Sequence, residues 1–297
     1  MELHLFGAAT PTGEAFRQRA ANADLPWPLH AYSRRSAANP VDFTNPAVFR
    51  PAGNPDVPAL WISFGPIWLL APFLERLALE HPERLAGLRS LIACSSSSAI
   101  TKRFSANRFD RELVARLIGA EEQLLATCRR LRVSCRILQP TLIYGQAGPY
   151  GDRNLSRLLH LLQRLPCMPL PAETGLRQPI HVSQLAAVAL HMAEQLGGSG
   201  CDPSLSERIT LGGDTTLTYA AMINALQQAQ PAGDPARRCR LLLIPNRLFF
   251  SLATPLLLRS PKAFEAVLRM GANLSGFTPA HQLLGREPRP FPVLPLA

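Results

Sequence analysis

Short apolar runs alternate with amphipathic ones along the first half of the chain. Leu3 to Ala8 (LHLFGA) reads as a buried strand and the following TGEAFRQRAANA as a helix. Further strands are expected at Pro28 to Ser33, Ala59 to Gly65, Ser90 to Ser96 and Ser134 to Gly145. Between them lie two helical patterns, IWLLAPFLERLALE and RELVARLIGAEEQLLATCRRL; in the second, Leu113, Leu117, Leu124, Cys128 and Leu131 share one face. Strands alternating with helices predict an α/β fold, a doubly wound parallel sheet covered on both faces.

After Gly145 the regularity weakens. Gly145 to Asn154 reads as a loop, NLSRLLHLLQRL as a helix, and PCMPLPAETGLRQPIHV as a proline-rich passage into a short strand. From about Cys201 the pattern reads as irregular additions around helices at Tyr219 to Gln228 and Pro261 to Met270. The expected division is therefore 1–150 as the main core, and 151–297 as remaining core elements interleaved with a small C-terminal cap.

Composition narrows the function classes. Of 31 basic residues only Lys102 and Lys262 are lysines, leaving 29 arginines spread without a run longer than two, at a net charge of +10. A nucleic-acid binder would cluster its cations on one stripe, so no nucleic-acid partner is expected, while a few arginines suit a phosphorylated small molecule. The six cysteines form no C-x-x-C pair and the histidines no H-E-x-x-H, so no metal site is expected, and the thiols are expected reduced in a cytoplasm. No G-x-S-x-G marks a hydrolase nucleophile. The N-terminus shows no signal-peptide pattern. The most apolar stretch, LLLIPNRLFFSLATPLLL, is broken by Pro245, Arg247 and Pro255, which predicts a buried or interfacial helix and no integral membrane segment.

The first strand runs directly into Gly7-Ala-Ala-Thr10-Pro11-Thr12-Gly13 and then a helix. Small residues there let the backbone turn tightly against a pyrophosphate seated on the helix's positive end, which makes Gly7, Thr10, Pro11, Thr12 and Gly13 the expected cofactor-binding turn of a Rossmann-type domain. Thr10 stands where a middle glycine would serve. Past the second strand the sequence is Ser33-Arg34-Arg35, with no carboxylate until Asp42. An acid would repel a 2′-phosphate and an arginine pairs with one, so NADP is expected over NAD, with Arg34 or Arg35 as the contact.

The GAATPTG turn, the strand end CSSSS, ILQPTLIYG, GDRN, RQPIHV and the closing EPRPF, in this order, resemble the short-chain dehydrogenase/reductase superfamily, in its extended and atypical branch of epimerase/dehydratase-like proteins. The resemblance implies that Ser97 or Ser98 polarises a substrate oxygen, and that Pro140 and Ile143 line the nicotinamide end of the cofactor. It puts Asn154, Arg177 and His181 near a substrate cleft, with Arg177 and Arg153 suited to a diphosphate and His181 to a structural role. It also implies a Tyr-x-x-x-Lys pair that this chain lacks: residues four past Tyr32, Tyr144, Tyr150 and Tyr219 are Ser36, Gly148, Asn154 and Ile223. Aligning the family's downstream glutamate with Glu122 puts Val114 and Ile118 in those places, and Gln139 replaces an arginine. Lys102 and Tyr144 are the alternative proton donors. The readings left open are an NADP-dependent oxidoreductase or epimerase acting on a sugar, nucleotide-linked sugar or small carbonyl compound, and a dinucleotide-binding protein without catalysis. A homodimer is compatible with either.

Overall fold

A computed structural model describes residues 1–23, 25–34, 36, 38–105, 107–198, 207–255 and 260–296. Seven strands form one sheet: β1 (Glu2–Phe6), β2 (Leu29–Tyr32), β3 (Ala59–Ser63), β4 (Leu88–Cys94), β5 (Ser134–Pro140), β6 (Glu207–Gly212) and β7 (Thr278–Pro279). Their order is β7-β6-β5-β4-β3-β1-β2, and every pairing is parallel. The chain begins in β1, steps outward to β2, then crosses back to β3. That reversal opens a crevice at the carboxyl ends of β1 and β3, where doubly wound sheets bind ligands.

The strands are buried on both faces, so their side chains alternate between two cores. Phe6 and Trp61 join Tyr32, Phe49, Phe73, Leu124 and Cys128 under α2 (Ile67–Glu80) and α3 (Arg108–Leu131). Leu3, Leu5, Leu60 and Ile62 face the other way, onto Phe16 of α1 (Pro11–Asn22) and Leu185, Val188 and Ala189 of α5 (Val182–Gly198). The expected α/β doubly wound sheet is present, flanked on both sides.

Three departures from the sequence reading are seen. Helix α5 is apolar nearly all round, with Leu185 through Ala189 all buried, so it shows no amphipathic stripe to find. Glu207–Gly212, within the stretch expected to be irregular, is a central-sheet strand paired to β5, with Leu211 fully buried beside Pro140. The stretch Ser134 to Gly145, read as a single strand, divides into β5 and a two-residue strand, Ile143–Tyr144, that leaves the sheet to pair with Ile180–His181. Over the carboxyl edge sit α4 (Asn154–Arg164), α6 (Tyr219–Gln228), α7 (Asn246–Ala253) and α8 (Pro261–Leu268), with a parallel strand pair, Cys167–Pro171 on Arg240–Ile244.

Candidate functional site

The turn leaving β1 is closed by Thr10. Its hydroxyl donates to the Gly7 carbonyl at 2.7 Å and accepts from the Gly13 amide at 3.0 Å, which caps α1. Gly7 adopts φ +78, and a Cβ there would lie 2.9 Å from the Gly65 amide nitrogen at the end of β3. A Cβ on Gly13 would stand 2.2 Å from the Gly7 carbonyl oxygen. Both glycines are thus demanded by close approach of turn, helix and neighbouring strand. Thr10, standing at the middle-glycine position, ties the two together. Pro11 opens the helix without an N–H, and Thr12 is buried behind it with its amide at the positive helix end.

A cleft of ≈ 470 Å³ opens where β4 and β5 end. Ser95 to Ser98 and Pro140 to Ile143 form its floor, and Arg177, Tyr219 and Arg269 belong to its cap side. Ser97 is buried, and its amide donates to the Pro140 carbonyl at 2.9 Å, which fixes the serine turn to the end of β5. Ser98 and Asn154 also line the space. Serines 97 and 98, Lys102, Pro140, Ile143, Asn154 and Arg177 are therefore brought together from four separate parts of the sequence.

The cationic groups of the cleft are already engaged. Lys102 Nζ donates to Asp110 at 2.7 Å, and Arg269 of the cap donates to the other oxygen of Asp110 at 2.9 Å. Glu265 of α8 completes the cluster by accepting from Ser105 and from the amide and side chain of Asn107. Burial works to push the Asp110 carboxyl up, but Lys102 and Arg269 outweigh it and hold the group below the usual aspartate range. The Arg177 guanidinium donates to the carbonyls of Leu176, Arg269 and Ala272 and stacks 5.1 Å from the Tyr219 ring. Its first task is to hold the cap loop to the core.

Tyr144 is placed apart from the cleft residues. It is buried, and its hydroxyl accepts from the Val293 amide at 2.8 Å, beneath the C-terminal segment. Burial raises its pKa well above that of ordinary tyrosine. The tyrosine that does line the cleft is Tyr219, at the first position of α6. Burial raises its pKa while the Arg177 charge opposes. Sequence reasoning passed over it because it lies 75 residues beyond Tyr144 with no lysine four residues on; only the packing of the cap brings it to the serines. His181 is buried, bonded to Ser183 and to the Pro295 carbonyl, and burial lowers its pKa. The His181 amide donates to Gln184, which thereby pins the start of α5.

Glu121, one residue before the glutamate singled out in the sequence, is a buried carboxylate of α3, while Glu122 is exposed. Glu121 accepts from Ser95 at 2.5 Å, from Gln139 at 2.9 Å and from Arg208 of β6 at 2.8 Å. The cation beside Glu121 thus comes from the strand next to β5. Arg34 is exposed past the end of β2, close enough to Asp42 to lower that carboxyl, though less than the Thr44 hydrogen bonds do. Arg35 lies outside the described residues. Arg153 is exposed just before α4, and Asp152, which accepts from the Asn154 and Leu155 amides, already occupies that helix start. Among the described residues no group of three or more His, Cys, Asp or Glu could hold a metal ion.

No family profile and no curated protein sequence matches the chain. Solved structures do. MoeE5 in complex with UDP-glucose and NAD is 17% identical, with 98% of this chain covering 94% of that one at a TM-score of 0.57. A UDP-glucuronic acid 4-epimerase from Bacillus cereus in complex with UDP-glucuronic acid and NAD is 13% identical over 97% of this chain and 94% of its own, at 0.59. RMD from Pseudomonas aeruginosa complexed with NADPH is 12% identical over 82% and 85%, at 0.57. At such identities the likeness is one of architecture, and the chain has the Rossmann-type fold that these structures share.

Proposed function

We propose that this chain binds a nicotinamide dinucleotide across the β1/β3 crevice and acts by hydride transfer on a sugar, nucleotide-linked sugar or other small carbonyl compound, as an oxidoreductase or epimerase. The observation that carries this reading is that a glycine-dependent helix start at the end of β1 and a serine-floored cleft at the ends of β4 and β5 lie along the carboxyl edge of the same parallel sheet. The fit of a dinucleotide is supported by the Gly7 and Gly13 approach distances and by the small residues Ala8 and Ala9 on the turn. The neighbours of like fold hold NAD or NADPH, two of them with a UDP-sugar or be it UDP-glucuronic acid.

The dinucleotide would supply the hydride. Ser97 or Ser98 would donate a hydrogen bond to the reacting oxygen, Pro140 and Ile143 would pack against the nicotinamide end, and Asn154 and Arg177 would bound the substrate. The proton donors that line the cleft are Lys102 and Tyr219, with Arg177 beside the latter playing the part of a fixed positive charge. Arg34 would meet the 2′-phosphate of NADP. Calorimetric titration with NADPH and NADH tests the binding. NADPH is expected to bind about tenfold more tightly or better, a preference that Arg34→Ala abolishes; absence of binding by both cofactors would overturn the reading.

A second reading, dinucleotide binding without catalysis, is favoured by one specific observation. The ammonium of Lys102 is held in an ion pair with Asp110, and the Tyr144 hydroxyl is closed off by Val293, so neither expected donor stands free. Tight NADPH binding with no turnover of any nucleotide sugar or simple carbonyl, in the wild type and in Asp110→Asn alike, would select it.

A further inference from the structure

Residues 235 to 264 contain no aspartate or glutamate, but carry Arg237, Arg238, Arg240, Arg247, Arg259 and Lys262 among eight leucines. The described part of this stretch includes the strand Arg240–Ile244 and α7, which both pack on Cys167–Pro171, and the first half of α8, which packs on α7. Helix α7 is apolar on two sides. Phe249 and Ala253 point inward and are buried, while Leu248 and Leu252, four residues apart on one outer face, are 53% and 66% exposed. Leu242 and Leu243 of the strand are 45% and 58% exposed, and Leu268 at the end of α8 is 44% exposed. Single exposed leucines are ordinary; Leu248 and Leu252 together on one outer face of α7, with further exposed leucines on neighbouring elements, present apolar surface that water disfavours.

We propose that this face of the cap docks on an anionic phospholipid surface, with Leu248 and Leu252 of α7 entering the headgroup boundary. Charge selects this partner. Arg238, Arg240 and Arg247 are exposed, and none enters an ion pair among the described residues. The bordering acids are already engaged: Glu265 with Arg269, Glu173 with Asn246, and Asp234 with the start of the Pro235–Arg238 turn. Apolar side chains interleaved with unpaired cations match a surface that is apolar at depth and negative at its headgroups. The arrangement lies on the surface and does not span: no helix of the described residues is long and apolar enough to cross a membrane.

The test is co-sedimentation of the full chain with vesicles of phosphatidylcholine alone and of phosphatidylcholine with about 30% phosphatidylglycerol, at low salt. Binding to the anionic vesicles is expected to exceed that to neutral ones by about tenfold or more, and to fall steeply with added salt. Leu248→Asp/Leu252→Asp should abolish it, and Arg238→Glu/Arg240→Glu/Arg247→Glu should reduce it at least tenfold. Because all five residues are exposed, the variants should melt within a few degrees of the parent, and a thermal melt checks this. Equal or absent binding to both vesicle types, or variants that bind like the parent, would overturn the proposal. So would sedimentation equilibrium showing a dimer that Leu248→Asp/Leu252→Asp dissociates, since a second copy would then be the occupant.

Discussion

The two ends of the crevice are built by opposite means. The phosphate-side turn is a local device, seven consecutive residues closed by one threonine and two glycines whose missing side chains let three backbone segments meet. The cleft end is assembled from distant residues, with Asp110 on α3 joining Lys102 from the serine loop to Arg269 from the cap. Backbone contact tolerates no added atom, whereas a network of side chains degrades by steps. The first kind of site is rigid and sequence-encoded; the second depends on how the cap is seated.

The sharpest way to break the contrast is Gly13→Ala. In an ordinary helix this change stabilises by about 1 kcal/mol. Here the Cβ meets the Gly7 carbonyl oxygen, and a loss of about 3 kcal/mol is expected in urea unfolding. An unchanged or raised midpoint would show that the turn is looser than its contacts imply.

His4 sits in β1 below that turn, with Nδ1 3.0 Å from the Tyr32 hydroxyl and Glu2 and His30 nearby. Burial, with the His30 charge assisting and Glu2 opposing, lowers its pKa from 6.5 to about 4. A histidine with a depressed folded pKa binds its proton more readily when unfolded. Its neutral form therefore favours the fold fully above pH 6.5, and stability falls as the pH drops from 6.5 towards 4, by up to about 3 kcal/mol. Urea midpoints of wild type and His4→Gln across this range should converge; parallel curves would remove His4 as the cause.

At the cleft end, Asp110→Asn leaves two cations facing each other without their carboxylate. A cost of about 2 kcal/mol is expected, discounted because Lys102 and Arg269 remain partly exposed. Since the folded pKa of Asp110 is depressed, its contribution is complete above the ordinary aspartate range and is lost as the pH falls through the folded value. The variant should therefore lose its deficit only in strong acid, which pH-dependent unfolding would show. The smallest effect is expected at Arg17→Ala, which removes an exposed pair with Glu14 at 2.9 Å in α1. Its change should stay within about 0.5 kcal/mol, and a larger one would mean that α1 is held by more than its packing and its cap.

Much of the fold was legible because its strands carry their signal locally. Leu3, Leu5 and Phe6 form a run apolar on both faces, and Ile67 to Glu80 repeats its leucines at helical spacing. Helix α5 escaped because a segment buried all round has no polar side to reveal its period, and β6 because its pairing partner lies about 70 residues earlier in the chain. Ser97, Pro140 and Ile143, singled out in the sequence by the family resemblance, line one cleft. Glu121 could not be told from Glu122 by order alone, since the phase of α3 against the sheet decides which points inward.

The sequence by itself determined the alternation of strand and helix, the glycine turn, and the absence of any Tyr-x-x-x-Lys pair, because each is a property of residues close together in the chain. Only the tertiary structure decided that Tyr219 lines the cleft while Tyr144 lies under the C-terminal segment, that Lys102 is bound to Asp110, and that the leucines of α7 face outward. Those outcomes depend on how the cap packs over the sheet edge, and contacts between residues up to about 160 positions apart leave no periodic trace in the chain.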